Sequence, residues 1–474
     1  MNGMTTATET HRERNTAGSL LYGTAARCRG AFGAGARRGV LALVDQAVVS
    51  GGRFAATVMI GRTCGPEQLG TYSLGFTFLM LIACAQESLI SLPYTIYTNR
   101  LQGRSQTEHA GAAVIHYGML ASLTSLCLAL LATVLLWATD MPQLAAVIGV
   151  LAFTMPCMLL VEFARRLAFA HLRMTTALLV DVAMAAILIG GLFSLAAAGV
   201  LSAATAYAVM GLAGAVAGGV WLLRNQSLFA LRRDRILPEL RRSWTFGRWV
   251  FASQMAFVAR GYVVPWLLAM LVATSATGVL FACQTIVLFC NPFLLGVGNV
   301  LTPSVARASA RGGDGQVRRV VVKATLLLGA ITAALCGLLV LLGNPLLLLL
   351  YGSEFAGHQV VIAVLAGTIL AEALGMAAYN GLWSMERPGA TFAANLLGLL
   401  ATTVTTLALV VPWGVLGAAC GLLAGRVVAT VVQCTVFFSA VRPAASNEPL
   451  SVIHTDAAET SGNRRWQQVA GEAT

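Results

Sequence analysis

The feature that most limits what this chain can fold into is its series of long apolar runs. A helix needs about 20 mostly apolar residues to cross the hydrocarbon core of a bilayer. Twelve stretches meet that length: 40–61, 69–91, 111–137, 143–161, 175–197, 201–223, 249–272, 276–301, 320–343, 358–381, 390–411 and 414–440. Gly199 divides the fifth from the sixth, and Pro412, Trp413 and Gly414 divide the last two as a turn signal. Only 11% of the 474 residues are charged, too few to solvate the three soluble domains that the length alone would suggest. The pattern predicts an all-α polytopic membrane protein.

The charges orient those runs. With the N-terminus inside, 26 of the 31 basic residues fall in inner segments, and the outer loops hold only Arg62. Arg53, Arg260, Lys323 and Arg426 fall within the runs themselves. Such a bias over alternating loops follows the positive-inside rule. It predicts a multi-pass protein of the cell inner membrane with both termini cytoplasmic. The net charge of +12 is therefore an orienting collar, and no nucleic-acid partner is expected. The first run is too long for a cleaved signal peptide and reads as retained.

Five segments result. Residues 1–39 are a basic cytoplasmic tail, and 441–474 a polar tail of disordered composition. Residues 40–223 and 249–440 are two six-helix bundles. The linker 224–248 mixes arginines with Leu228, Phe229, Leu231, Ile236, Leu237 and Leu240, which suggests an amphipathic helix on an anionic leaflet or, more simply, a solvated connection. The halves show traces of repetition. At an offset of 208, Gln46 falls on Gln254, Phe54 on Tyr262 and Gly70 on Gly278; a two-residue shift puts Pro93 on Pro303 and Gly103 on Gly313. An even number of spans per half preserves orientation, so the bundles would be related by a pseudo-two-fold axis along the membrane normal.

Several functions are excluded or disfavoured. The sole lysine, Lys323, sits between Val322 and Ala324, so there is no phosphate-binding Gly-Lys-Ser/Thr loop. Neither H-e-x-x-H nor G-x-S-x-G occurs, and no two histidines have metal-ligand spacing, so no cofactor or metal is expected. The ten cysteines lie singly among apolar residues and read as reduced small hydrophobes. The outer loops are too short for an external catalytic domain. A secondary transporter, not an enzyme, is the leading class.

Polar groups inside the runs are the candidates for a site, because a charge at the bilayer centre costs about 2.5–3.5 kcal/mol and normally faces a cavity or a partner. Gln46, Ser50, Arg53 and Thr57 share one face of the first run, with Asp45 beside them. Ser253 and Arg260 share a face of the seventh, and Gln284 and Asn291 a face of the eighth. Glu87 lies beside Ser73, Thr77, Cys84 and Ser88 in the second. These four runs would wall a central cavity. There Arg53 and Arg260 would bind an anionic group such as phosphate, lined by Gln46, Ser50, Thr57, Gln284 and Asn291. The structural alternative is that each arginine pairs with Asp45 or Glu87 to hold helices together. Asp181, Glu372 and Arg426 form a second set, together with Asp45 and Glu87 candidates for ion coupling or else one buried structural cluster. Trp137, Trp221, Trp249, Trp383 and Trp413 lie near run ends as interface anchors.

Four local motifs carry a family resemblance. They are G-R-T-C-G-P-E-Q-L-G-T-Y-S-L at 61–74, L-L-Y-G-S-E-F-A-G at 349–357, E-R-P-G-A-T-F-A-A-N at 386–395 and G-V-L-G-A-A at 414–419. Over about 40–440 the chain resembles the polysaccharide flippases of the multidrug/oligosaccharidyl-lipid/polysaccharide exporter superfamily. The resemblance implies two six-helix bundles in a V, alternating access, and an undecaprenyl-diphosphate-linked oligosaccharide as cargo. Membrane lipids, and a polysaccharide polymerase complex as a further candidate, would be the other partners. The chain departs from the family in its long basic N-terminal tail and its Ala/Gly-rich helices. The competing readings are a multidrug or toxin cation antiporter of the same superfamily, which would favour an acidic cavity, and a membrane-embedded glycan-assembly protein without transport.

Overall fold

In hydrocarbon every backbone amide must be paired within the protein, which leaves only helices or closed barrels. The computed structural model describes the backbone of residues 6–139, 141–288, 291–385 and 388–441, and the side chains of 37, 39–139, 141–288, 318–382, 385 and 389–441. Among the described residues it is helical, with no strand. The helices are α1 (Thr6–Gln86), α2 (Leu92–Thr98), α3 (Arg104–Ala138), α4 (Pro142–Ala170), α5 (Met174–Ala197), α6 (Ala203–Arg224), α7 (Arg233–Leu271), α8 (Thr274–Val287), α9 (Asn291–Tyr351), α10 (Gln359–Ser384) and α11 (Pro388–Ala440). A single wide turn, Glu87–Ser91, joins α1 to α2.

Nine helices among the described residues are long and apolar enough to cross a bilayer, against twelve runs in the sequence. The difference has a local cause. The first two runs are arms of α1, bent at Gly65, whose φ of 78° lies in the left-handed region and is followed by Pro66. The last two are arms of α11, bent at Gly414 with φ 53° just after Pro412. Thr274–Val287 holds only 14 residues of the eighth run. The division at Gly199 falls between α5 and α6, where Ser202 and Thr205 form a capping box that starts α6. The linker is a short turn at Gln226–Leu228 followed by the opening turns of α7, which continue unbroken into the next run.

The lipid-facing surface is apolar. Phe153 is 83% exposed, and Leu123, Leu126, Leu130 and Val134 line one exposed face of α3. With no hydrophobic drive between helices in lipid, close packing falls to small residues. On α6, Gly211, Gly214 and Gly218 lie against Thr154, Cys157 and Leu160 of α4. On the second arm of α11, Gly417, Gly421 and Gly425 lie against Leu409, Thr406 and Thr402 of the first arm. The Ala/Gly richness of the chain is thus spent on helix contacts.

One crossing ties the two halves. A Cβ at Gly70 in α1 would sit 1.9 Å from the carbonyl oxygen of Thr274, at the start of α8. A Cβ at Gly278 in α8 would sit 1.9 Å from the carbonyl oxygen of Pro66. The two glycines are 208 residues apart, and so are the two residues whose carbonyls face them, so the contact is reciprocal, as a two-fold axis through it requires. Nearby, the motifs at 61–74 and 349–357 meet. Arg62 donates to the Leu349 carbonyl, the ring of Tyr351 fills the space beside Gly61, and Glu354 reaches Gly65.

Candidate functional site

The arginines of the first half do not pair as the sequence suggested. Asp45 and Glu87 are taken by arginines of α4, which the loop count had assigned to the inner collar. Arg165 donates from Nε to Asp45 Oδ2 at 3.2 Å and from Nη2 to Gln46 Oε1 at 3.1 Å, and its Nε lies 3.1 Å from Asp181 Oδ2. Its Nη1 is 3.6 Å from Glu162. Arg166 Nε lies 2.9 Å from both Glu162 and Glu87. Four carboxylates therefore converge on two guanidinium groups. The cluster is deep: the side chains of Asp45 and Asp181 are 1% and 4% exposed. Both contact the same Arg165 Nε, so the two carboxylates lie side by side. Two like charges so placed repel, and the Arg165 guanidinium between them offsets the repulsion.

Arg53 is left free. It is exposed, and among the described residues its guanidinium makes no hydrogen bond and no ion pair. It stands on the wall of an open cleft, alongside Glu162, Arg165 and Asp181, between α1, α4, α5 and α6. The rest of the stripe supports the helix: Gln46 donates to Ser50 at 3.2 Å, and Thr57 donates to the Arg53 carbonyl at 2.9 Å. Ser73 and Thr77 likewise bond carbonyls of their own helix.

Arg260 lies elsewhere. Among the described residues it does not line the cleft that holds Arg53. Arg260 is buried within the second half, its Nη1 against Gly398 of α11. The register of Gly70 and Gly278 explains why. At an offset of 208 Arg260 matches Gly52, not Arg53, and one residue turns a helix by about 100°. Gly52 packs on Ala185 of α5, so Arg260 occupies the α7–α11 contact that Gly52 occupies between α1 and α5.

The second set also divides. Arg426 donates from Nη2 to Glu372 Oε2 at 2.7 Å, whereas Asp181 belongs to the first cluster. Gln284 is half-buried on α8. The side chain of Asn291 lies outside the described residues. The residues that the sequence reading missed are Glu162, Arg165 and Arg166. Their signal is V-E-F-A-R-R followed by L-A-F-A, an apolar stretch that resumes after the charges and keeps them inside α4.

On the other side of the linker, α7 docks on α3. His109 Nδ1 meets Glu239 at 3.1 Å, His116 Nε2 lies 3.0 Å from the Ile236 carbonyl, and Glu108 gathers Arg104, Arg232 and Arg235. Arg242 stands over the Tyr97 ring at 3.8 Å.

A family model described as polysaccharide biosynthesis protein matches residues 96–359, more than half of the chain. No curated protein matches it in sequence. Among solved structures it is similar to a multidrug-resistance MATE-family transporter of the MOP superfamily in an inward-facing conformation, with TM-score 0.68 and 16% identity over 84% of this chain and 94% of that one. An outward-facing MATE transporter gives 0.62 and 13% identity over 86% and 95%. A MOP-superfamily transporter from Pyrococcus furiosus, described as having a binding pocket of reverse polarity, gives 0.63 and 13% over the same shares. The chain belongs to the polysaccharide biosynthesis protein family and carries the fold of the MOP-superfamily membrane transporters.

Proposed function

We propose that this chain is a secondary transporter that flips an undecaprenyl-diphosphate-linked oligosaccharide across the inner membrane for exopolysaccharide or O-antigen synthesis. The bundles 40–223 and 249–440 would alternate access, joined by 224–248, with both termini cytoplasmic. The observation that carries this reading is Arg53. It is a guanidinium fork on a cleft wall with no partner among the described residues, matched to an anionic group that enters from outside the protein. The charged groups of this otherwise apolar cleft would meet the head group, and the polyprenyl tail would remain in lipid.

The test uses a strain deleted for the gene. It should accumulate the lipid-linked oligosaccharide on the cytoplasmic leaflet and be restored by the wild-type chain. Arg53→Ala should reduce surface polysaccharide roughly tenfold or more, the cost of a charge-assisted contact, at an unchanged protein level. Wild-type output from this variant would remove Arg53 from the site.

A second reading is favoured by one observation, the excess of carboxylates around Arg165 and Arg166. An acidic site suits a cationic drug, as in an antiporter; in the flippase reading the same excess is a proton site for coupling. Asp45→Asn separates the two. The amide keeps the contact to Arg165 but cannot share a proton with Asp181. Polysaccharide export should then lose its dependence on external pH. An unchanged pH profile, with drug resistance altered instead, would favour the antiporter.

A further inference from the structure

A buried guanidinium normally spends its N–H groups on partners, because an orphaned charged donor in a low-dielectric interior is costly. Arg260 departs from that rule. It is 4% exposed, and its Nη1 has no hydrogen-bond partner among the described residues. A second arginine stands close by. The guanidinium carbons of Arg260 and Arg426 lie over the ring of Phe257, 5.2 and 5.3 Å from its centroid. The ring face attracts both cations but accepts no conventional hydrogen bond. Among the described residues one carboxylate serves the pair, Glu372, and it is spent on Arg426 at 2.7 Å. The group is therefore short of one negative charge and of acceptors for Arg260. It is not sealed: the side chains of Arg426 and Glu372 are 20% and 29% exposed, and Phe257 is 36% exposed.

We propose that Phe257, Arg260 and Arg426 form an anion site for a diphosphate, and that the Glu372 carboxylate is its resident competitor, displaced from Arg426 when the anion enters. The choice of a diphosphate rests on the flippase reading. A diphosphate carries more charge than a carboxylate and enough oxygens to meet both forks, so it supplies what Arg260 lacks as well as what Glu372 gives. Glu372 is partly exposed already and can turn outward. The competitor also has a use in a transport cycle. It spares the empty carrier a pair of bare arginines, and it returns to Arg426 as the cargo leaves, which keeps the site from holding its ligand too tightly to release.

The experiment uses the full chain in phosphatidylcholine nanodiscs, titrated in one arm with inorganic pyrophosphate and in another with undecaprenyl diphosphate placed in the disc. Glu372→Gln keeps the side-chain shape and removes the charge. It should tighten binding roughly tenfold, whereas Arg426→Ala and Arg260→Ala should weaken it. A gain in both arms assigns recognition to the diphosphate alone; a gain only with the lipid assigns it to the diphosphate on its carrier. Unchanged or weaker binding by Glu372→Gln in both arms overturns the competitor, because Glu372 is then only a structural partner of Arg426. That failure is separate from failure of the transport reading, which is scored by polysaccharide export from the Arg53 variant. Because removing a partner can unfold a bundle, each variant is first compared with wild type by thermal melting. Should Glu372→Gln melt early, Glu372→Ser carries the same test, with no carboxylate to compete.

Discussion

Arg165→Ala is expected to clear most of this protein from the membrane. Arg165 is the common partner of Asp45 on α1 and Asp181 on α5, and it contacts Gln46 and Glu162 as well. Removing it leaves two nearly inaccessible carboxylates facing each other with no counter-charge. Breaking a buried pair by deleting one member costs about 3–5 kcal/mol, since the charge left behind has neither water nor partner. That is a large part of the whole stability of a typical domain. The expected result is a steep fall in the amount of protein in isolated membranes and an earlier thermal transition in detergent. The cause can be checked by neutralising what is left. Adding Asp45→Asn and Asp181→Asn to Arg165→Ala removes the stranded charges and should recover much of the protein level, though not export. If the single variant accumulates like wild type, the cluster does not hold α1, α4 and α5 together.

The same cluster shows how far the sequence could be read. Intramembrane charge is visible in a sequence because it interrupts an apolar run, and Asp45, Asp181, Glu372 and Arg426 all do so. Their pairing is not visible, because the partners stand on different helices, 120 residues apart for Asp45 and Arg165 and 54 for Glu372 and Arg426. Arg165 and Arg166 were hidden for a different reason. Arginines near a run end satisfy the positive-inside rule, and only the apolar L-A-F-A beyond them reveals that α4 continues. Helix positions were legible from length and hydropathy, and the turns at Gly199 and Gly414 from composition. The break at Gly65 was legible as a gap between the first two runs, but its sharpness was not, because a Gly-Pro pair reads equally as a loop or as a bend. The repeat was legible in Gly70 and Gly278. A one-residue slip in register made Arg53 and Arg260 look equivalent, although one faces a cleft and the other a helix contact.

Adding a side chain at the α1–α8 crossing is expected to abolish export. At Gly70 the nearest atom to an added Cβ is the Thr274 carbonyl oxygen at 1.9 Å, and at Gly278 it is the Pro66 carbonyl oxygen at 1.9 Å. These are backbone atoms and cannot rotate away, so any substitution must move a helix. Moving either helix also strips close small-residue contacts, which supply much of the helix attraction in lipid. Gly70→Ala and Gly278→Ala should each cut export at least roughly tenfold, because overpacking commonly costs about 1–3 kcal/mol. The reciprocal geometry makes a sharper demand. Once either alanine has separated the helices, the second finds the space already open, so the double variant should be hardly worse than the worse single one. Additive losses would mean that the two contacts are independent and that no common crossing joins the halves. Gly118→Ala is the control: an added Cβ there meets nothing within 4 Å, and alanine favours the helix. Normal export from both single crossing variants would show that α1 and α8 separate at no cost, and the crossing would then have no part in holding the two halves together.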